Sequence, residues 1–266
     1  MLSIPMLKHN FKSCVVPFII IFLFLVMYTT VIIYMYNPEI AEMLDAYREL
    51  MPEVMAAMGM GGMATSLIEW IHVYLYGFVM LLFPLIFIII AVNKLVMGYI
   101  DSGSLAGILA TPNSRRKIIV TQMLSLYLWL IFMMLCVSVV GIVSAQLFFP
   151  GELDIKTYFY LNLGTLMLWL AVASITFFAA CVCSDGKYYY FLGAGIPILF
   201  FFLNMMGNMG ENLEILKYFT IYSLLTADKI IAGNNEAIGS CGALLGICVV
   251  LSTVGSVYFT KRDLSL

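Results

Sequence analysis

The chain has 266 residues, of which 63% are hydrophobic and 11% charged, with a formal net charge of -2. Soluble domains carry about a quarter of their residues as charged side chains, so this composition excludes an ordinary soluble fold. The slightly acidic balance offers no basic surface for nucleic acid, and a nucleic-acid partner is excluded with it.

The charges that do occur sit in short clusters. Between them, the runs 14–37, 70–93, 118–151, 157–184, 188–210 and 237–260 contain no Asp, Glu, Lys or Arg. A helix needs about 20 mainly apolar residues to cross a hydrocarbon core of roughly 30 Å. The pattern predicts an all-α polytopic membrane protein, a single transmembrane domain over 1–266. Its six transmembrane helices are expected near 14–36, 70–92, 118–147, 158–182, 188–207 and 237–259. Lys8 and Lys12 precede the first run, but that run is longer than a signal-peptide core and no small-x-small cleavage site follows before Asn37, so it is read as a retained span.

After it, Asn37-Pro38-Glu39 reads as a helix start, with Asn as the cap, Pro at the first helical position and a carboxylate in the first turn. Ile40, Leu44, Tyr47, Met51 and Val54 recur at three- and four-residue spacing among acidic residues, which predicts an outer amphipathic helix that Pro52 kinks or divides. Gly59, Gly61 and Gly62 mark its end. Met51, Met55, Met58, Met60 and Met63 are flexible fillers of that face, with a soft-metal site as the minor alternative.

The second and third spans are joined by the one substantial loop on the side of the termini, residues 94–117. Asp101 or Ser102 caps a short helix in which Leu105, Ile108 and Leu109 share a face and Pro112 ends it. Arg115, Arg116 and Lys117 follow at headgroup level. Before the sixth span, Leu213, Ile215, Tyr218, Phe219, Tyr222 and Leu225 make the connecting segment too apolar for a solvated loop. A re-entrant-like outer hairpin fits, and Phe219, Tyr222 and Leu225 are its candidate gate.

Chemistry is sparse. Cys14, Cys136, Cys181, Cys183, Cys241 and Cys248 are scattered and act as small hydrophobes, and with only His9 and His72 in the chain no metal site is expected. There is no H-E-x-x-H, no G-x-S-x-G and no pair of glutamates on a span, so no catalytic residue is expected. An intramembrane enzyme using His72 remains one alternative, and an ATP-independent scaffold or immunity protein another. Coupled transport needs titratable groups at mid-depth, where this chain offers mainly the amides Gln122, Gln146, Asn162, Asn204 and Asn208. A phosphate-binding G-x-x-x-x-G-K-[ST] loop is also missing, so nucleotide energy would have to come from another subunit.

Basic residues set the orientation. With the first span starting inside, the cytoplasmic segments hold Lys8, Lys12, Lys94, Arg115, Arg116, Lys117, Lys187, Lys261 and Arg262, against Arg48, Lys156, Lys217 and Lys229 outside. Both termini are expected in the cytoplasm of a cell-membrane protein.

Two motifs resemble a known family. Asp101-Ser102-Gly103-Ser104-Leu105, followed by Leu109-Ala110-Thr111-Pro112-Asn113-Ser114-Arg115-Arg116-Lys117-Ile118, resembles the cytoplasmic segment of permease subunits of type-2 ATP-binding-cassette transporters, chiefly bacterial exporters. The closing Tyr258-Phe259-Thr260-Lys261-Arg262-Asp263-Leu264 is similar to that family's usual ending. Tyr99 to Ser102 departs from the pattern in lacking nearby basic residues.

The resemblance implies a non-catalytic permease that binds no cofactor itself. Two copies of a cytoplasmic ATPase would supply ATP and Mg, and a second permease chain, identical or different, would complete the pathway. It implies that Ser104, Leu105, Ile108 and Leu109 bury against the ATPase, before the break at Pro112. Asp101, Arg115 and Arg116 make polar contacts to the ATPase or to headgroups. The aromatic and aliphatic spans favour an amphipathic or hydrophobic cargo such as a peptide or antimicrobial.

Overall fold

The computed structural model describes residues 3–62, 64–104, 107, 114–234 and 236–262. Six helices among them are long and apolar enough to cross a membrane: Ile4–Tyr34, Val79–Asp101, Arg115–Phe148, Ile155–Val182, Gly186–Asn208 and Glu236–Lys261, the first to sixth spans. Among the described residues there is no strand, and the expected all-α class and number of spans hold. Ser3 and Arg262, the first and last of the described residues, lie at one face of the bundle. Ser3 N donates to Thr121 Oγ1 (3.2 Å) and Arg115 Nη1 to Arg262 O (2.9 Å), both at the start of the third span. The opposite, distal face carries residues 37–62 and 211–234.

Short polar side chains start the helices by accepting the amide protons that a first turn leaves free. Asn37 Oδ1 accepts from Glu39 N (3.1 Å), as its position before Pro38 predicts. Ser66 and Glu69 cap one another reciprocally, Ser114 takes Lys117 N, and Asp154 takes Lys156 N and Thr157 N. Asp185 takes Lys187 N (2.6 Å) and Tyr188 N at the start of the fifth span.

The second span is the part of a longer rod nearer the terminal face. Helix Leu67–Ile71 passes into a π-turn at His72–Tyr76, breaks at Gly77 and Phe78, and resumes as Val79–Val92, a second π-turn Asn93–Met97 and a last turn Gly98–Asp101. The helix therefore reaches past the 70–92 expected from the charge-free run and takes in Lys94. Lys94 is exposed while Leu95, Val96 and Met97 beside it are buried, so one long cation reaches solvent from a helix whose other face stays packed.

The fourth span is the hub. It packs against the sixth, second and third spans, and Leu168, Ala171, Ala173 and Ala180 on it are fully buried. In an apolar surround each polar group needs a partner, and one such pairing follows from a proline. Pro84 has no N–H to give the carbonyl four residues back, and the indole Nε1 of Trp169 on the fourth span donates to that carbonyl, Met80 O, at 2.8 Å. Tyr189 Oη donates to Ile89 O (2.9 Å) just before the second π-turn, joining the fifth span to the second. The first and third spans are joined by Asn10 Nδ2 donating to Ser125 Oγ (3.0 Å), and the third and sixth by the short Tyr127–Ser252 hydroxyl pair.

On the distal face the amphipathic segment is two helices, Pro38–Leu50 and Pro52–Ala57, divided at Pro52 as the sequence predicts. Ile40 and Leu44 pack with Met60 against Trp70, Val73 and Tyr74, while Met43, Tyr47 and Leu50 stand exposed. Trp70 Nε1 donates to Ile32 O (2.8 Å), one of the carbonyls left free where the first span ends. Arg48, half-buried against this cap, donates to Gly62 O (2.7 Å), Tyr74 Oη (3.3 Å) and Met60 O (3.4 Å) and pairs with Asp45 (2.6 Å). The helix Pro52–Ala57 ends on Gly59 at φ 76°, a left-handed turn that glycine adopts without cost. A Cβ on Gly59 would lie 2.6 Å from Gly77 Cα, so the two backbones touch where the rod breaks. Met63 of the methionine cluster lies outside the described residues.

The segment before the sixth span folds back as three short pieces, the 3-10 helices Glu211–Phe219 and Tyr222–Leu224 and the helix Ala227–Ile231. The first packs on the fifth span and the last on the fourth, the hairpin-like arrangement expected.

Candidate functional site

At the terminal face, Asp101 closes the last turn of the second span, and its Oδ1 accepts from Gly186 N (2.8 Å) at the start of the fifth. Two carboxylates thus hold one helix start: Asp185 takes the amides of Lys187 and Tyr188, and Asp101 takes that of Gly186. A Cβ at position 186 would meet the Asp101 carboxylate, so a larger residue there would have to displace that side chain and disturb the bond. Ser102 Oγ donates to Gly98 O (2.6 Å) and meets Ser104 Oγ at 2.7 Å, finishing the helix end, with both serines exposed. Leu105, Ile108, Leu109 and Pro112 lie outside the described residues.

Where the chain enters the third span, Arg115 turns inward and donates to Arg262 O (2.9 Å). Arg262 in turn donates through Nη1 to Cys181 O and Cys183 O, both at 2.8 Å, the free carbonyls at the end of the fourth span. Both bonds leave from that one nitrogen, while Arg262 Nε is buried with no hydrogen-bond partner among the described residues. Arg116 stands exposed, toward the groove between the third and sixth spans. The segment between Asp101 and Arg115 is therefore tied at both ends: through Asp101 the second span to the fifth, and through Arg115 the third span to the sixth and fourth.

The sequence singles out Asp101 and Arg115 but not their partners. Gly186 and Arg262 are found only by the fold, although Asp185-Gly186 has the form of a helix start and Arg262 belongs to the basic ending already noted.

At the distal face, a cavity of about 450 Å³ opens between the rod, the fifth span and the hairpin. His72, Tyr76, Asn204, Asn208, Lys217 and Asp228 give it polar walls, and Leu81 and Leu225 an apolar part. His72 Nδ1 lies 3.6 Å from Asp228 Oδ1. Burial pulls the imidazole, which precedes the second span, below its ordinary value, against the upward pull of the Asp228 and Glu69 carboxylates. Of the expected gate, Tyr222 and Leu225 line this cavity. Tyr222 is 4% exposed, edge-on to Phe201 with centroids 5.9 Å apart, whereas Phe219 is 65% exposed and outside the lining. Below the cavity Tyr76 Oη donates to Asn162 Oδ1 (2.7 Å), carrying a polar link into the fourth span. Among the described residues no cluster of three His, Cys, Asp or Glu side chains is placed to hold a metal ion.

One protein family, described as ABC-2 family transporter protein, matches residues 8–264. Neither a curated protein nor a solved structure matches the chain.

Proposed function

We propose that this chain, which belongs to the ABC-2 family of transporter proteins and is a type-2 permease subunit in the membrane, is powered by a separate cytoplasmic ATPase that docks on residues 94–117. In this reading both termini face the cytoplasm across the cell membrane, two ATPase subunits bind ATP and Mg, and a second permease chain completes the pathway. Cargo is exported, and it is an amphipathic or hydrophobic molecule such as a peptide or antimicrobial.

The observation that supports this reading is the pair of ties flanking the docking segment. Asp101 on Gly186 and Arg115 on Arg262 anchor residues at either side of the segment, so a push on it is delivered to the second and fifth spans on one side and to the third, sixth and fourth on the other. Closure of an ATPase pair then moves the spans as bodies, and the distal cavity under Tyr222 and Leu225 is the outlet they open.

Two experiments test it. Extraction in mild detergent with identification of bound subunits is expected to recover an ATPase of soluble type. The Leu105→Asp variant places a charge in the docking face, which costs several kcal/mol, about a thousandfold in affinity. Transport and cargo-stimulated ATP hydrolysis are expected to vanish while membrane insertion is unchanged. Full transport by that variant overturns the docking.

A further inference from the structure

The cations at 115, 116 and 117 are not equivalent. Arg115 is engaged on the Arg262 carbonyl inside the bundle, and Arg116 faces a groove of about 410 Å³ between the third and sixth spans at the terminal face. Lys261 lines the groove with it, Val120, Met123 and Val257 give most of its apolar wall, and the hydroxyls of Ser252, Ser256 and Thr260 along it are already hydrogen-bonded within the protein. A second hollow of about 490 Å³ shares Arg116 and Val120 with the groove and adds Ser114 and Lys117. Among the described residues no carboxylate lines either hollow.

The vertical order of these groups matters. Arg116 and Lys261 sit just outside the charge-free runs 118–151 and 237–260, at headgroup level, and Val120 and Val257 lie at acyl depth. Two cations above a mainly apolar trough present donors to a phosphate and an apolar wall to a chain. Basic pockets between transmembrane helices take anionic headgroups for this reason.

We propose that the groove between the third and sixth spans is a binding site for one anionic glycerophospholipid of the adjoining leaflet. Its phosphate lies between Arg116 and Lys261, and one acyl chain runs along Val120, Met123 and Val257. Cation density alone holds lipids diffusely, but a walled groove holds one in a fixed place. The inference needs the membrane and not the ATPase, so it stands or falls apart from the docking on residues 94–117.

The test uses the full chain purified in detergent, titrated with phosphatidylglycerol or with phosphatidylcholine of the same acyl chains, and bound lipid counted by native mass spectrometry. Wild type is expected to retain one phosphatidylglycerol in preference to phosphatidylcholine. R116Q/K261Q is expected to weaken that binding by roughly 20- to 30-fold. K12Q/K187Q, which removes the same charge from the same face away from the groove, is expected to change it less than about threefold. Val257→Trp keeps both cations and fills the trough, and it too is expected to lose the bound lipid, with circular dichroism confirming the fold of each variant.

Equal losses in both double variants, retention by Val257→Trp, or equal binding of the two lipids overturns the site. Competition by millimolar inorganic phosphate as effective as by phosphatidylglycerol assigns the groove to a free anion instead. Conversion of a dimer to a monomer by Val257→Trp assigns it to a second chain.

Discussion

Replacing Asp101 with Ala removes the side chain that ties the last turn of the second span to the first amide of the fifth. The bond is short, 2.8 Å from Oδ1 to Gly186 N, and it places a carboxylate at the positive end of a helix, two favourable contributions. A lost N-cap costs about 0.5–2 kcal/mol and a lost charge near a helix N-terminus about 0.3–1. Here Asp185 still holds the amides of Lys187 and Tyr188, and the exposed Gly186 N–H turns to water, so the lower half of the combined range applies, about 1–1.5 kcal/mol. That corresponds to roughly tenfold more frequent opening of the first turn of the fifth span. Hydrogen–deuterium exchange of a peptide covering 183–192 reads it directly. Asp101→Asn keeps an acceptor and loses the charge, so its effect is expected at a few-fold. In proteoliposomes with the ATPase, cargo moved per ATP is expected to fall in the order wild type, Asp101→Asn, Asp101→Ala, with basal hydrolysis unchanged. Unaltered exchange over 183–192 in Asp101→Ala would refute the tie, and altered exchange with unaltered transport would refute its part in coupling.

The distal cap and the hub give two more tests. Arg48→Met keeps most of the side-chain bulk and removes three hydrogen bonds to Gly62 O, Met60 O and Tyr74 Oη; charge-assisted bonds contribute about 1.5–3 kcal/mol each when well formed. Only the 2.7 Å bond has good length and the Asp45 pair is exposed, so about 2–3 kcal/mol of local stability is lost, and proteolysis within 38–62 is expected to speed up with no change in the spans. Trp169→Phe leaves Met80 O without its indole partner and is expected to cost about 1–3 kcal/mol, read as a lower thermal midpoint in detergent. Pro84→Ala supplies that carbonyl with a helical N–H, so in the Trp169→Phe background the loss is expected to shrink; equal losses in both backgrounds would show that the two groups are not coupled.

The architecture was legible because its signals are local. Charge-free runs mark the spans, Asn37-Pro38-Glu39 carries its own cap, and Pro52 breaks a helix wherever it falls in one. The second span, Val79–Asp101, starts after the break at Gly77 and Phe78 and continues past Lys94, because Lys94 ends an apolar run but not a backbone hydrogen-bond ladder, and a lysine stem reaches out from a helix whose other face is packed. Phe219, Tyr222 and Leu225 share a face at three-residue spacing only if the helix is unbroken. Thr220 is extended, at φ -124° and ψ 147°, which ends the first 3-10 helix and leaves Phe219 facing outward while Tyr222 and Leu225 line the cavity. The ties at the terminal face were hidden for another reason: Gly186 is 85 positions from Asp101, and Arg262 is 147 from Arg115. No periodicity spans such separations, and Asp101 alone reads equally well as a cap, a ligand for a partner or a solvated carboxylate.

Gly59 and Gly77 meet with no side chain between them, at the spot where the helical rod of the second span is interrupted. A contact cushioned by long side chains absorbs a small rotation by rotamer changes, whereas two bare peptide planes have nothing to yield. A swing of the rod about Phe78 would therefore press directly on the backbone at Gly59, where the helix Pro52–Ala57 ends.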